Sequence, residues 1–201
     1  PLAKLQEGFT AFATGLAEAF APEADLVKPN PLEVNPLDKN AIVDWLEANP
    51  NNIWALNTTC ANLVEEEEYL EAIPLLERSI KLHPRQRGAG SPYGMLARAH
   101  RELGQAEDEL DVLEQWAAIE DAATKLYGRL MEIHSERENW SAVDRLAKRF
   151  FSANPLSPIA HRFMALTAQQ TGRQADTIRP LRRLLLLDPA DPVDLHFRLA
   201  T

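Results

Sequence analysis

The sequence repeats its pattern of apolar residues with a period of about 34 residues, the length typical of one class of helical repeat. Trp116, Phe150 and Leu184 are equally spaced by this period, and Pro155 and Pro189 keep the same distance. The segment MLARAHRELGQ, which begins at position 95, recurs in its apolar positions one and two periods further along. A fixed period of this kind indicates a repeat protein in which each unit packs on its neighbours.

The composition favours helices throughout the chain. Glycine is scarce, at 8 of 201 residues, and Leu, Ala, Glu and Arg recur with apolar residues three and four positions apart. Such spacing places the apolar side chains on one face of a helix. We therefore predict an all-α fold.

The period and its residues resemble tetratricopeptide repeats, each of which is a pair of antiparallel helices. The family motif has a Leu–small pair in the first helix, a turn, an aromatic-x-x-small pattern in the second helix and a closing proline. Four repeats match it within residues 51–191, at Leu56, Cys60, Leu63, Tyr69, Ala72, Leu76 and Pro84; at Tyr93, Leu96, Ala97, Gly104 and Leu113; at Tyr127, Leu130, Trp140, Ala147, Phe150 and Pro155; and at Met164, Ala165, Gly172, Leu181 and Pro189. The second repeat departs from the motif at Glu109 and Asp121.

The resemblance implies a right-handed superhelical array, or α-solenoid, of antiparallel helix pairs. Repeat helices are expected near residues 51–64, 68–82, 91–103, 106–119, 123–135, 140–153, 158–170 and 173–187. Large aromatic residues occupy the packing positions between repeats. We therefore expect the side chains at these positions to be largely buried, namely those of Trp116, Trp140 and Phe150. Pro74 and Pro180 fall inside second helices and are expected to cause tolerated kinks on the outer face.

The two ends of the chain are less regular than its middle. Residues 1–50 are predicted to hold an amphipathic helix near 2–20, an extended proline-rich segment and a short helix, which together form a degenerate first repeat or a cap. Residues 51–191 hold the four repeats. Residues 192–201 are expected to begin a further repeat that is truncated, so that the chain resembles a trimmed fragment.

Charge is unevenly distributed along the sequence. Up to position 121 the chain has 9 Lys and Arg against 22 Asp and Glu, whereas the rest has 12 against 8, which gives −13 and +4 and accounts for the net charge of −9. This distribution argues against a nucleic-acid partner, which requires a basic stripe. No apolar stretch is long enough for a membrane span, and no secretory signal is visible. We expect a soluble protein, with the cytoplasm as the default compartment.

The residues that could suggest chemistry have simpler interpretations. Residues 65–68 are four glutamates in a predicted turn, where consecutive side chains point in different directions. His100 and His134 are one period apart, and His161 and His196 nearly so, and each pair is therefore expected to pack between helices. The single cysteine, Cys60, is expected to be a buried thiol. We therefore predict no catalytic centre, metal or cofactor.

The resemblance implies a binding surface on the concave face, which the first helix of each pair lines. Candidate binding residues on these helices are Trp54, Asn57, Arg98, Arg101, Lys125, Glu132, Arg162 and Gln169. Because arginine and lysine side chains pair with carboxylates, the expected partner is a protein or peptide segment that bears acidic side chains or a chain terminus. Only the last pair of the family's carboxylate clamp is matched, by Lys125 and Arg129, so we do not predict that clamp.

Two functional hypotheses remain open from the sequence. The leading one is a non-catalytic scaffold that binds a protein or peptide segment. The alternative is that the chain is the recruitment or dimerisation arm of a longer enzyme, for example a peptidase, whose catalytic part lies outside these residues. A metal-ligand motif elsewhere in the full reading frame would favour the arm.

Overall fold

The computed structural model describes residues 2–88, 90–187, 192, 195, 196 and 199. Regular structure in these residues consists of α1 (Leu2–Phe20), α2 (Lys39–Ala48), α3 (Ile53–Glu65), α4 (Tyr69–Leu82), α5 (Pro92–Glu102), α6 (Ala106–Ile119), α7 (Thr124–Glu136), α8 (Trp140–Ala153), α9 (Pro158–Gln170), a 3₁₀ helix (Gln174–Thr177) and α10 (Ile178–Leu186). The all-α prediction is confirmed. Seven of the eight predicted repeat helices lie within two residues of their expected bounds.

The chain divides into two compact units, Pro1–Val112 and Leu113–Thr201, with the division inside α6. In the first unit α2 packs on α3, α3 on α4 and α4 on α5, and α3 also contacts α5. In the second unit α7 packs on α8, α8 on α9 and α9 on α10, and α7 also contacts α9. Each unit is therefore built from helices that pack on the next helix along the chain and on the equivalent helix of the neighbouring pair.

Each unit has its own apolar core. In the first unit Leu46, Ile53 and Leu56 are buried beside Leu82 at the meeting of α2, α3 and α4. The second unit is centred on Phe150, whose ring stacks on Tyr127 with 5.0 Å between the ring centres. Trp116 and Trp140, which were also predicted to be largely buried, are each partly buried.

One position is used in the same way in three helix pairs. Tyr93 OH donates a hydrogen bond to Pro84 O at 2.9 Å, and Tyr127 OH donates to Glu120 O at 3.3 Å. His161 stands at the next equivalent position and donates from Nε2 to Pro155 O at 3.1 Å. The first helix of each of these pairs is thus hydrogen-bonded to a carbonyl of the loop that precedes it. The residue at this repeated position fixes the helix to that loop in all three pairs.

The turn inside each helix pair contains one residue in the left-handed region. Gly104 and Gly172 have φ of 70° and 72°, and the equivalent residues Glu67 and Glu138 have φ of 63° and 53°. A glutamate in this region is strained because its Cβ approaches the backbone, whereas glycine has no such penalty. The four glutamates at 65–68 are all exposed; Glu65 ends α3, and residues 66–68 form this turn between α3 and α4.

Replacing Glu138 with glycine is therefore expected to stabilise the second unit by about 0.5–1 kcal/mol, because relief of the strain exceeds the entropy gained by the unfolded chain. The matched change Gly104→Ala is expected to destabilise the first unit by a similar amount. Chemical denaturation of both variants measures the free energy of unfolding. Loss of stability in Glu138→Gly would show that the turn is not strained.

The last helix pair differs from its prediction in two respects. Residues 173–187 were predicted as one helix, but a 3₁₀ helix, Gln174–Thr177, precedes α10. Pro180 explains the break, since it lacks the N–H that would bond to the carbonyl of Asp176. The expectation that Pro180 lies on the outer face is wrong, because Pro180 is buried in the first turn of α10. Pro74 is exposed inside α4.

The proline-rich segment is fixed to the start of α3 by a buried asparagine. Asn52 is 0% exposed, and its Nδ2 donates to Asp25 Oδ2 and to Val27 O, each at 2.7 Å. Its Oδ1 accepts from Ala55 N at 2.9 Å and so caps α3. The backbone of Asp25 also pairs with Asn51 O and Ile53 N. The segment contains turns at residues 22–23 and 31–33 and belongs to the first unit.

The predicted truncated repeat at residues 192–201 lies mostly outside the described residues. Of the described ones, Leu195 is buried in a cluster with Ala165, Leu181 and Leu184, and Leu199 packs against that cluster. The closing residue Pro189 also lies outside the described residues.

Cys60 is fully buried in α3, as predicted, and burial raises the pKa of its thiol to about 12. Because the thiolate is the reactive form, the native chain is expected to react with a thiol reagent at least a hundredfold more slowly than an exposed cysteine does. Labelling with and without denaturant measures the difference. Equal rates in the two conditions would contradict the packing of α3.

Candidate interaction surfaces

The first helices, α3 and α5 in the first unit and α7 and α9 in the second, position the eight candidate binding residues. Trp54 and Asn57 on α3 are both partly buried. Trp54 packs against the apolar cluster of the first unit, and Asn57 Oδ1 accepts a hydrogen bond from Ser79 Oγ at 2.7 Å. These two side chains therefore contribute to the packing of α3, and only their exposed parts are available to a ligand.

The two arginines of α5 are exposed but differ in their surroundings. Arg98 has no hydrogen bond or ion pair with the described residues of the chain. Arg101 forms an ion pair with its neighbour Glu102 at 3.0 Å, and the two side chains remain 45% and 42% exposed. Arg98 is thus the cation of α5 that is available without the loss of an existing contact.

In the second unit the candidate residues lie on two helices that contact each other. A Cβ added at Gly128 of α7 would lie 3.7 Å from Ile159 Cδ1 of α9, an ordinary van der Waals distance, so the two helices are in direct contact here. Lys125 and Arg162 are exposed, and neither has a hydrogen bond or ion pair with a described residue. The remaining two candidates are Glu132 on α7, which forms an ion pair with Arg129 at 3.5 Å, and Gln169, which is exposed near the end of α9.

Three exposed cations, Arg98, Lys125 and Arg162, therefore lie on first helices without an acidic partner in the part of the chain that is described. Elsewhere in the second unit basic side chains do find acidic partners, as Arg149 does with Asp121 at 2.7 Å. An exposed cation without a partner can pair with a carboxylate at little desolvation cost. The arrangement can therefore hold carboxylates.

The histidines act as packing residues, as predicted for three of the four. His100, His134 and His161 are buried, whereas His196 is exposed. His100 Nδ1 bonds to Gln105 Oε1 at 2.7 Å. Burial lowers the pKa of His134, although Glu114, 4.0 Å away, opposes this effect.

Metal-binding clusters and membrane-spanning helices are both absent from the described residues. No three His, Cys, Asp or Glu side chains there come together in a way that could hold a metal ion. No helix in the same residues combines the length and hydropathy needed to cross a membrane.

A charged cluster that the sequence pattern did not predict joins α8 to Arg173, the residue before the 3₁₀ helix. Asp144 of α8 accepts from Lys148 Nζ at 2.6 Å and from Arg173 at 3.2 Å. Burial alone would raise the pKa of Asp144, but the hydrogen bonds from Lys148 and Arg173 outweigh it and lower the pKa. Lys148 could have been found from its spacing of four residues along the helix, whereas Arg173 is distant in the sequence.

Because the pKa of Asp144 is lower in the folded chain, its contribution to stability is present above the unfolded value of about 4 and is lost as the pH falls through the folded value. Asp144→Asn is expected to destabilise the chain by about 0.5–1 kcal/mol at pH 7 and to have progressively less effect as the pH falls through the folded pKa of Asp144. Denaturation at several pH values measures this difference. A difference that grows as the pH falls would contradict the cluster.

The comparison with solved structures defines the class of fold. The structure of YrrB, described as a TPR protein with an unusual peptide-binding site, aligns with a TM-score of 0.64 and 13% identity over 81% of each chain. The structure of MamA aligns at 0.61 and 17% identity, over 74% of this chain and 85% of that one. A tetratricopeptide repeat protein from Parabacteroides merdae aligns at 0.61 and 16% identity, over 81% of this chain and 66% of that one.

The sequence matches no protein-family profile and no curated protein. The solved structures named above nevertheless share the fold over about three quarters of this chain. The repeat motif also recurs in the sequence with a period of about 34 residues, which is independent support. The chain has the tetratricopeptide-repeat fold, as the resemblance in its sequence implied.

Proposed function

We propose that the chain is an interaction scaffold that binds protein or peptide segments through the exposed faces of its first helices. In the first unit Arg98 and Arg101 of α5 contact the carboxylates of the partner, and in the second unit Lys125 and Arg162 of α7 and α9 do so. The observation that carries the proposal is that Arg98, Lys125 and Arg162 are exposed on these helices and have no acidic partner among the described residues.

Electrostatics support an acidic partner in spite of the net negative charge of the chain. At long range the net charge of −9 opposes the approach of an acidic segment, so binding depends on cations close to the site. Partly exposed charge pairs are screened by salt, and each adds little free energy. We therefore expect modest affinity that weakens as the ionic strength rises.

The likeness to YrrB agrees with this proposal, because the description of that structure includes a peptide-binding site. The remaining candidates supply contacts beside the cations. Trp54 offers the exposed part of an aromatic ring, and Asn57, Glu132 and Gln169 offer polar groups to the backbone of a bound segment.

The proposal is tested with an array of acidic, neutral and basic dodecapeptides at low and moderate ionic strength. We expect the wild-type chain to prefer acidic peptides. The double variant Arg98→Glu/Arg101→Glu should lose about five- to tenfold in affinity for peptides held by the first unit, because reversal replaces attraction by repulsion. Lys125→Glu/Arg162→Glu tests the second unit in the same way.

The matched control is Lys81→Glu/Arg87→Glu, which changes the net charge equally at exposed positions outside the first helices of the first unit. It should bind acidic peptides nearly as well as the wild type. Equal loss in the control and in the test variants would mean that only net charge matters. Binding unchanged by the first-helix reversals, or a preference for basic peptides, would reject the proposal.

A further inference from the structure

Three adjoining cavities run along α10 in the second unit. The first, of about 280 Å³, is lined by Phe151, Met164 and Pro180 among others. The second, of about 510 Å³, lies along α10 itself, and the third, of about 200 Å³, lies towards Leu156 and Leu186. Arg183 lines all three. We call this continuous surface the α8–α10 cleft.

The floor of the α8–α10 cleft is apolar and held in place. Phe151, at the end of α8, is partly buried and meets the ring of His161 edge to face, with 5.3 Å between ring centres. His161 is itself fixed by its hydrogen bond to Pro155 O. Met164 is partly buried and Pro180 is buried beside them. The floor therefore offers a preformed site for an apolar side chain.

The rim of the α8–α10 cleft is basic. Arg179, Arg182 and Arg183 are exposed, and none has a hydrogen bond or ion pair with another described residue. Their spacing of three and four positions places them on one side of α10. Other arginines of the same unit, Arg149 and Arg173, are paired with carboxylates. The rim thus carries three guanidinium groups without acidic partners, among the described residues, around an apolar floor.

We propose that the α8–α10 cleft binds an acidic peptide segment that inserts one large apolar side chain, Phe or Leu, between Phe151, Met164 and Pro180. Carboxylates on either side of this anchor pair with Arg179, Arg182 and Arg183, whose planar donors fit carboxylates. The nine residues of α10 span about 14 Å, which matches about four residues of an extended segment. This surface uses residues other than those of the proposed first-helix site and goes beyond that function.

The shape of the cleft favours a peptide over an anionic membrane. A helix that lies on a bilayer presents protruding apolar side chains to the lipid. Here Phe151, Met164 and Pro180 line recesses, and the arginines stand around them. A recess with a charged rim fits a side chain that enters from a chain crossing the cleft.

The test uses an array of dodecapeptides whose four central residues combine Phe or Leu with Asp and Glu in every order, and a second array with Asn and Gln in place of the acids. The full chain is compared with Arg179→Glu/Arg183→Glu and with Met164→Ala. Lys81→Glu/Arg87→Glu, at exposed positions outside both proposed sites, serves as the control with the same charge change. Circular dichroism and thermal melting check that each variant keeps its fold.

We expect the acidic array to bind and the amide array to bind at least tenfold more weakly. Binding should fall at least tenfold in Arg179→Glu/Arg183→Glu and several-fold in Met164→Ala, and should stay within twofold of the wild type in the control. Failure of the first-helix proposal would leave this pattern unchanged, so the two proposals fail separately.

Three results would overturn the proposal. The first is the absence of binders on the acidic array. The second is a loss of binding in the control as large as the loss in Arg179→Glu/Arg183→Glu. The third is binding to vesicles of phosphatidylserine and phosphatidylcholine that Arg179→Glu/Arg183→Glu abolishes while no peptide binds, which would assign the cleft to a membrane surface.

Discussion

Replacing Phe150 with alanine is expected to lower the free energy of unfolding by about 3–5 kcal/mol. Phe150 is 0% exposed, and its ring stacks on Tyr127 with an angle of 8° between the planes. Truncation removes this contact and leaves a cavity between α7 and α8 that the helices cannot fully close. Denaturation followed by circular dichroism measures the change.

The control for this prediction is Leu156→Ala in the same unit. Leu156 is 72% exposed, so its truncation should change stability by less than about 0.5 kcal/mol. Because each repeat stabilises mainly its neighbours, the loss of stability caused by Phe150→Ala should be larger in the second unit than in the first. Equal stability of the Phe150→Ala variant and the wild type would contradict the assigned core.

Asn52→Ala is expected to destabilise the first unit by about 2–3 kcal/mol. The asparagine side chain caps α3 and satisfies Val27 O and Asp25 Oδ2 in a fully buried position. Alanine leaves these groups and Ala55 N without that partner. The variant should also release the proline-rich segment, so amide hydrogen exchange at Asp25 and Ile53 should become faster.

Asn40→Ala is the matched control, since Asn40 is an exposed asparagine at the start of α2. Its replacement should change stability by less than about 0.5 kcal/mol and leave the exchange at Asp25 unchanged. If Asn52→Ala behaves like this control, the segment is held by contacts other than the buried asparagine.

The period made the helices predictable from the sequence alone. Tyr93, Tyr127 and His161 recur at equivalent positions because each first helix bonds to the loop before it. The apolar positions of α6, α8 and α9 follow the same spacing, and their bounds agree with those predicted to the residue. In these helices the local spacing of apolar residues agrees with the tertiary packing, and the fold could therefore be predicted from the sequence.

Other features depend on contacts between residues far apart in the chain. Nothing in the local sequence shows that Asn52 reaches Val27, or that Asn57 accepts a bond from Ser79 rather than facing a ligand. The burial of Pro180 depends on how α10 packs on α9, which the period alone does not specify. The first-helix cations could be predicted because exposure follows from helical spacing, whereas their lack of acidic partners among the described residues required the structure.

The central claim is that the first helices carry the binding surface, and a nuclear magnetic resonance titration tests it most directly. The full chain, labelled with nitrogen-15, is titrated with the acidic dodecapeptide that binds most tightly on the general array. We expect the largest amide shift changes around Arg98 and Arg101 of α5 or around Lys125 and Arg162 of α7 and α9. Changes confined to α4, α6 and the turns, with the first-helix amides unmoved at saturation, would contradict the account.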